Sequence, residues 1–311
     1  MQSQPVLVLA AMAAGVLFAL VGVAYRLGQS KGIPTTAVFG VMTLVGAVAF
    51  ASGVPSDAWR QLPVALVVMG VLGGLSQYFV MLLAAAMLRR GPLTTLWCAV
   101  NLGFLVNIVY GRVVLSEPIL PLHVLAMLAG VACVFAAAMA QRPEAVTAGE
   151  PAAPSIHRHG SAAMYGLLFV ALLMTNTIYP TGLKQLNARP LDCAFDIPTQ
   201  RQIYLAVGFT MMAMLSIGHT LVRTGPRAWA RWGLPIGALA AVGSVLGSTF
   251  MAIFTQLPAV VGFTTCSACS IMAAALFGTA MFGERRSRSW YATVAFALTA
   301  VALVALAGRG A

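Results

Sequence analysis

Charge is what this chain has least of. Only 8% of its 311 residues are Asp, Glu, Lys or Arg, against roughly 25% in soluble domains. Together with 60% hydrophobic residues, that scarcity excludes a cytosolic enzyme, a disordered chain and a collagen-like fibre. Acid is scarcer still, with 7 Asp+Glu against 18 Lys+Arg and a net charge of +11. In a soluble protein this balance suggests nucleic acid. Here the cations sit at the ends of apolar runs, where lipid headgroups lie, so no nucleic-acid partner is expected. The five cysteines are odd in number and mostly within apolar runs, which gives no disulfide framework. Cys266 and Cys269 form a C-x-x-C inside an apolar segment with no second pair, so close helix packing explains them better than metal or redox chemistry. His157-Arg158-His159 supplies only two histidines and makes no convincing metal site. There is no G-x-S-x-G, no H-E-x-x-H, no Walker A sequence and no carboxylate pair within an apolar run. An enzyme, a bound cofactor and an ATP-driven pump are all unexpected for this chain alone.

What is present is apolar length. Ionisable groups are expensive at membrane depth, so their absence marks spans. Charge-free runs cover 1–25, 32–56, 61–88, 91–111, 118–141, 160–183, 202–222, 232–283 and 289–308. A span needs about 20 residues. The run 232–283 holds two, and it breaks at Gln256-Leu257-Pro258. The segment 1–25 lacks a basic start and is too long for a signal peptide, so it reads as the first span. The expected fold is all-α and integral to the membrane, with ten transmembrane helices.

The two halves look like copies. The segment 142–159 has linker composition and divides the chain into repeats at 1–141 and 160–311, five spans each. Aligning Glu117 with Glu284 aligns Gly111 with Gly278 and brings Pro92 within one residue of Pro258, while Tyr25 at the end of span one parallels Tyr179 at the end of span six. An odd number of spans per copy inverts one copy relative to the other, an architecture that places a substrate site near the midplane.

The runs Arg90-Gly91-Pro92 to Ser116-Glu117 and Gln256-Leu257-Pro258 to Phe282-Gly283-Glu284-Arg285, within ten spans duplicated as five and five, resemble the EamA-like branch of the drug/metabolite transporter superfamily. The resemblance covers nearly the whole chain, but its motifs are short. It implies a carrier for small solutes such as amino acids, sugars, nucleotide precursors or drugs. Two departures matter. Ser116-Glu117-Pro118 stands where that family has Gly-Glu. Spans one and six contain no carboxylate, so the coupling glutamate of the small multidrug resistance relatives has no counterpart.

Polar groups inside spans must face the protein interior, because lipid cannot satisfy them. Phe18 and Tyr25 share a face of span one, Asn176 and Tyr179 of span six, and Gln77 and Tyr78 lie in span three. Trp97 and Asn101 fall on one stripe of span four, Ser267 and Ser270 in span nine and Ser244 in span eight. Each alone is explained equally well by interhelical packing. As a set they suggest an amphipathic substrate-binding lumen with aromatic walls. Asn107 lies on another face, as glue between helices. Ser116 can cap span five, with Glu117 in its first turn on the helix dipole, and Glu284 follows Gly283 in the same way. That accounts for both glutamates structurally, with gating or proton coupling as the alternative. Lys184 and Arg201 border spans six and seven. Snorkelling to the interface is their default, Asp192 and Asp196 could neutralise them, and a gating or coupling role is the alternative.

The expectation is a multi-pass protein of the cell membrane (the inner membrane in a bacterium). It is expected to move a small polar or amphipathic metabolite by alternating access, with proton or ion coupling left open. The rival is a non-transporting sensor or scaffold on the same fold. Six Lys+Arg fall on the side of the termini and twelve on the other; by the positive-inside rule the termini face outward.

Overall fold

The computed structural model describes residues 3–88, 93–140, 162–282 and 288–307. Among them are ten α-helices: α1 (Gln4–Ser30), α2 (Thr35–Ser52), α3 (Val64–Leu88), α4 (Leu93–Val113), α5 (Pro121–Ala140), α6 (Ala162–Ala188), α7 (Ile197–Arg223), α8 (Gly233–Phe254), α9 (Ala259–Phe282) and α10 (Arg288–Ala307). Eight of these are long and apolar enough to cross a membrane, and shorter apolar helical stretches lie in α4 and α5. Among the described residues all regular structure is helical, and the eight long apolar helices make this a protein of the multi-pass membrane type. The break expected at Gln256-Leu257-Pro258 is there, between α8 and α9. The linker 142–159 and Glu284 lie outside the described residues.

Local chemistry sets the ends. Ile33 donates to the Gly28 carbonyl and Gly225 to that of Thr220, both at 3.0 Å or less. The two turns pass through Gly32 at φ 68° and Gly225 at φ 70°, a left-handed conformation that glycine adopts without steric cost. Asp196 caps α7, accepting from the Thr199 N–H at 3.0 Å. Hydrogen bonds from Thr199, through its side chain and then its backbone, hold the Asp196 carboxyl below its ordinary range. A carboxyl lowered in this way stabilises the fold above its unfolded-chain pKa, and that contribution disappears as acid titrates the folded group. Asp196→Ala is expected to cost about 1 kcal/mol at neutral pH and much less in strong acid, read by thermal unfolding across pH.

Two sequence expectations about the helix ends need correction. α5 begins at Pro121, beyond Ser116 and Glu117, and Ser116 sits at φ 57° in the connecting loop. Ser116 therefore does not cap span five, and Glu117 is not in its first turn. Tyr179 is not at the end of its helix either: α6 continues to Ala188, carrying Lys184 within it. The ion pair that this lysine makes, described below, is what lets the helix run on past a charge.

The principal packing partners cross between the halves of the chain. α1 lies on α8 and α9, α2 on α7 and α8, α3 on α6 and α7, α4 on α6 and α9, and α5 on α10 and α9; α4 also meets α5, and α9 meets α10. Small residues allow the close crossings, as membrane helices require. A Cβ at Gly74 would press on the backbone of Gly208, and one at Gly15 on Cys269 and Ser270 of α9. Cys266 and Cys269 thus belong to the packed α1–α9 seam.

Candidate functional site

Two polar assemblies stand out, one midway along the bundle and one at the end that holds the α4–α5 and α8–α9 connections. The first is built around a proline. Pro180 lies inside α6, and without an N–H it leaves the carbonyl four residues earlier unpaired. That carbonyl is Asn176's, and it accepts from the Gln77 side chain of α3 at 3.4 Å. The Asn176 amide in turn donates to the Val100 carbonyl of α4 at 3.1 Å. Ser267 of α9 donates to the neighbouring Asn101 carbonyl at 3.4 Å. Four residues expected to line one lumen, Gln77, Asn101, Asn176 and Ser267, therefore meet in a polar string across α3, α6, α4 and α9, in which the adjacent backbone carbonyls of Val100 and Asn101 are the α4 acceptors. Pro180 itself was not among the expected site residues, although a proline inside a charge-free run was the available signal.

The remaining expected lining residues are distributed around this string. Tyr179 is buried and stacks on Tyr204 with ring centroids 5.5 Å apart, and Tyr204 donates to the Tyr179 carbonyl at 2.9 Å. Tyr78 turns away to His219, hydroxyl to Nδ1 at 2.9 Å. Phe18 packs where a side chain on Gly247 would stand, and Ser244 is buried on the same α8. Ser270 is buried on α9 and Tyr25 is half-buried on α1. Trp97 falls on α4, but its side chain lies outside the described residues. Thr181 donates to the Asn107 Oδ1 at 2.8 Å, so Asn107 does join two helices.

The second assembly joins elements from both halves. Lys184, 3% exposed, is ion-paired with Glu117 and donates to the Leu257 carbonyl. The other Glu117 oxygen accepts from the N–H of Ala259 at 2.6 Å. Ala259 is the first residue of α9, so the carboxylate sits on the positive end of that helix dipole. Glu117 does cap a helix, but α9 rather than α5. The approach demands glycine at 111, because a Cβ there would fall 2.6 Å from the Glu117 Oε2 and 2.7 Å from the Ala259 Cβ. Arg112 and Arg189 hold the loop's carbonyls at Glu117 and Val114, at 3.2 and 2.9 Å.

Neither interior cation behaves as expected at an interface. Lys184 does not snorkel, and its counter-ion is Glu117 rather than Asp192 or Asp196. Arg201 is turned to the end of α8, donating to the Ala252 carbonyl at 2.6 Å and to Asn187 Oδ1 at 3.1 Å. Asn187 donates to the same carbonyl at 3.1 Å and to the Thr255 hydroxyl at 2.7 Å. These groups satisfy backbone freed where α8 stops and α9 starts. The geometry locks the ends of α6 and α7 to the α8–α9 turn and to the α4–α5 loop.

A cavity of about 520 Å³ opens beside the string, walled by α3, α4 and α6 with Tyr204 behind. None of the eleven expected substrate-binding residues lines it; its polar wall is Tyr110, Thr175, Thr177, Thr181 and Gln185.

No protein-family model matches the chain. No curated protein matches it either. A solved structure, "Crystal structure of protein", is similar over 99% of this chain and 99% of its own, with a TM-score of 0.70 and 13% sequence identity. At that identity the likeness is one of fold.

Proposed function

We propose that this chain is a secondary transporter of the EamA-like kind, built as two inverted five-helix repeats. It would move a small polar or amphipathic solute by alternating access. The observation that carries the reading is the exchange symmetry of the helix packing. Renumbering each helix five places on turns α1–α8 into α3–α6, α1–α9 into α4–α6, α2–α8 into α3–α7, and α4–α5 into α9–α10. It leaves α2–α7, α4–α9 and α5–α10 as they are; α5–α9 and the slighter contacts α2–α3, α3–α4 and α6–α8 have no such counterpart. A two-fold relation between halves of five antiparallel helices gives this pattern, and transporters use such a relation to rock one repeat against the other.

The polar assemblies fit the two tasks of that cycle. The Gln77–Asn176–Asn101–Ser267 string lies beside Pro180 of α6, where a carbonyl without its helical donor can be handed to a solute. The Glu117–Lys184 pair closes one end. A buried ion pair is near break-even in free energy, because desolvation offsets attraction. Opening that end to water returns hydration to both charges, so such a gate holds shut without being hard to open. With no nucleotide-binding sequence, the work comes from a solute or ion gradient.

Flux of labelled amino acids, sugars, nucleosides and drugs into proteoliposomes tests the reading. Asn176→Ala removes one donor from the string, and loss of about 1 kcal/mol is expected to slow flux roughly fivefold for a transported solute. Flux unchanged by Asn176→Ala places the solute elsewhere. A chain that moves nothing in the panel and retains a protein partner is the sensor or scaffold instead.

A further inference from the structure

The cavity among α3, α4 and α6 has no part in this cycle. At about 520 Å³ it falls within the ~300–1,000 Å³ of small-molecule sites. Its walls change character along α6. At one end stand Met174 and Ile178, both exposed, with Thr175 and Thr177, whose hydroxyls are turned back onto the Ala171 and Met174 carbonyls of their own helix. In a membrane protein such side chains meet acyl chains. At the other end stand Tyr110, Thr181 and Gln185. From Met174 to Gln185 the helix rises about 16 Å, which is the depth of one leaflet of a ~30 Å hydrocarbon core. One turn beyond Gln185 comes Arg189, exposed, its guanidinium on the Val114 carbonyl and ion-paired to no carboxylate among the described residues.

We propose that this slot holds an acyl chain of an anionic phospholipid, with the headgroup phosphate against Arg189. The order of apolar wall, polar wall and cation follows the order of such a lipid from its chain to its phosphate. A polar solute finds less here, because key polar side chains are already committed to one another. Tyr110 donates to Gln185 at 2.5 Å, and Thr181 to Asn107. Arg and phosphate are well matched in charge and hydrogen-bonding geometry. The bound chain would brace α6 beside Pro180.

Native mass spectrometry of the purified full chain, titrated with phosphatidylglycerol or phosphatidylcholine, tests this. The wild type should retain one phosphatidylglycerol in preference to phosphatidylcholine. Ile178→Trp, which fills the slot, should abolish that retention. Arg189→Gln should weaken phosphatidylglycerol about fivefold and erase the preference. Both positions are exposed, and unchanged thermal unfolding without lipid confirms that the variants fold. Retention undiminished in Ile178→Trp overturns the slot, and an unchanged preference in Arg189→Gln overturns the headgroup contact. Displacement of the lipid by a solute from the flux panel assigns the cavity to the solute and overturns the lipid. None of these readouts requires flux, so this inference and the transport reading fail separately.

Discussion

Glu117→Gln is expected to destabilise the protein by about 3–5 kcal/mol, the cost of stranding one member of a buried ion pair. The stranded member is the Lys184 ammonium, 3% exposed and left with only the Leu257 carbonyl. Glutamine offers one oxygen to two donors, so its amide N–H₂ must face either that ammonium or the Ala259 N–H, donor against donor. Lys184→Met should cost less. Glu117 keeps the Ala259 N–H and the α9 dipole, and its side chain is 17% exposed, so water reaches it. The double variant removes both charges and leaves no ion unpaired. It should recover most of what Glu117→Gln loses, giving a coupling energy of about 1–3 kcal/mol within the range seen for contacting groups. Thermal unfolding of the four proteins in one detergent measures the cycle. Additive losses would mean that the pair does not act as a unit. In flux assays the double variant should still transport, faster or slower, if the pair is a latch; abolished flux in a stably folded double variant means that the charges do more than close an end.

Helix positions were legible in the sequence because the cost of a charge in lipid is large and local. The break between α8 and α9 follows from length alone, since a run of 52 residues exceeds what one crossing needs. The rule failed at Lys184, and for an instructive reason. A lysine reads as a helix end only if its charge must reach water, and here Glu117 supplies what water would have. That partner lies 67 residues earlier, in a loop. Nothing in local spacing could announce it. The candidate site divides in the same way. Periodicity put Asn176 and Tyr179 on one face of α6, and the structure joins Asn176 to the string through α3 and α4. Periodicity could not reveal that Tyr78 pairs with His219, or that Tyr204 stacks on Tyr179, because those pairings depend on which helices become neighbours. Sequence places Glu117 on a helix dipole, in the first turn of α5; the structure puts it on the dipole of α9 instead. A cap is a local motif only when its acceptor and donors share a turn, and here a glycine at 111 admits a carboxylate from one half of the chain to the first N–H of a helix in the other.

Gly15→Ala should be the most damaging single-methyl change. Gly15 of α1 faces α9 so closely that a Cβ would meet the Cys266 carbonyl and approach the Cys269 Cβ and Ser270 N to 2.9 Å. Two of these three atoms are backbone in a helix and cannot swing aside. The only relief is to part α1 from α9, which opens gaps along the whole seam and forfeits the dispersion contacts that hold membrane helices together. A cost of about 1–3 kcal/mol, or more, follows from forced overpacking. Gly166→Ala on α6 provides the comparison, because a Cβ there meets nothing within 4 Å. With helix propensity alone at stake it should be neutral or gain up to about 1 kcal/mol. Purified yield as a monodisperse species, and the midpoint of thermal unfolding in detergent, should fall for the first and hold for the second. Equal behaviour of the two would mean that α1 and α9 are not in close contact. The same seam joins a helix of the first half to one of the second, so on the proposed transport reading any Gly15→Ala protein that survives should move solute slowly into proteoliposomes even after correction for its yield.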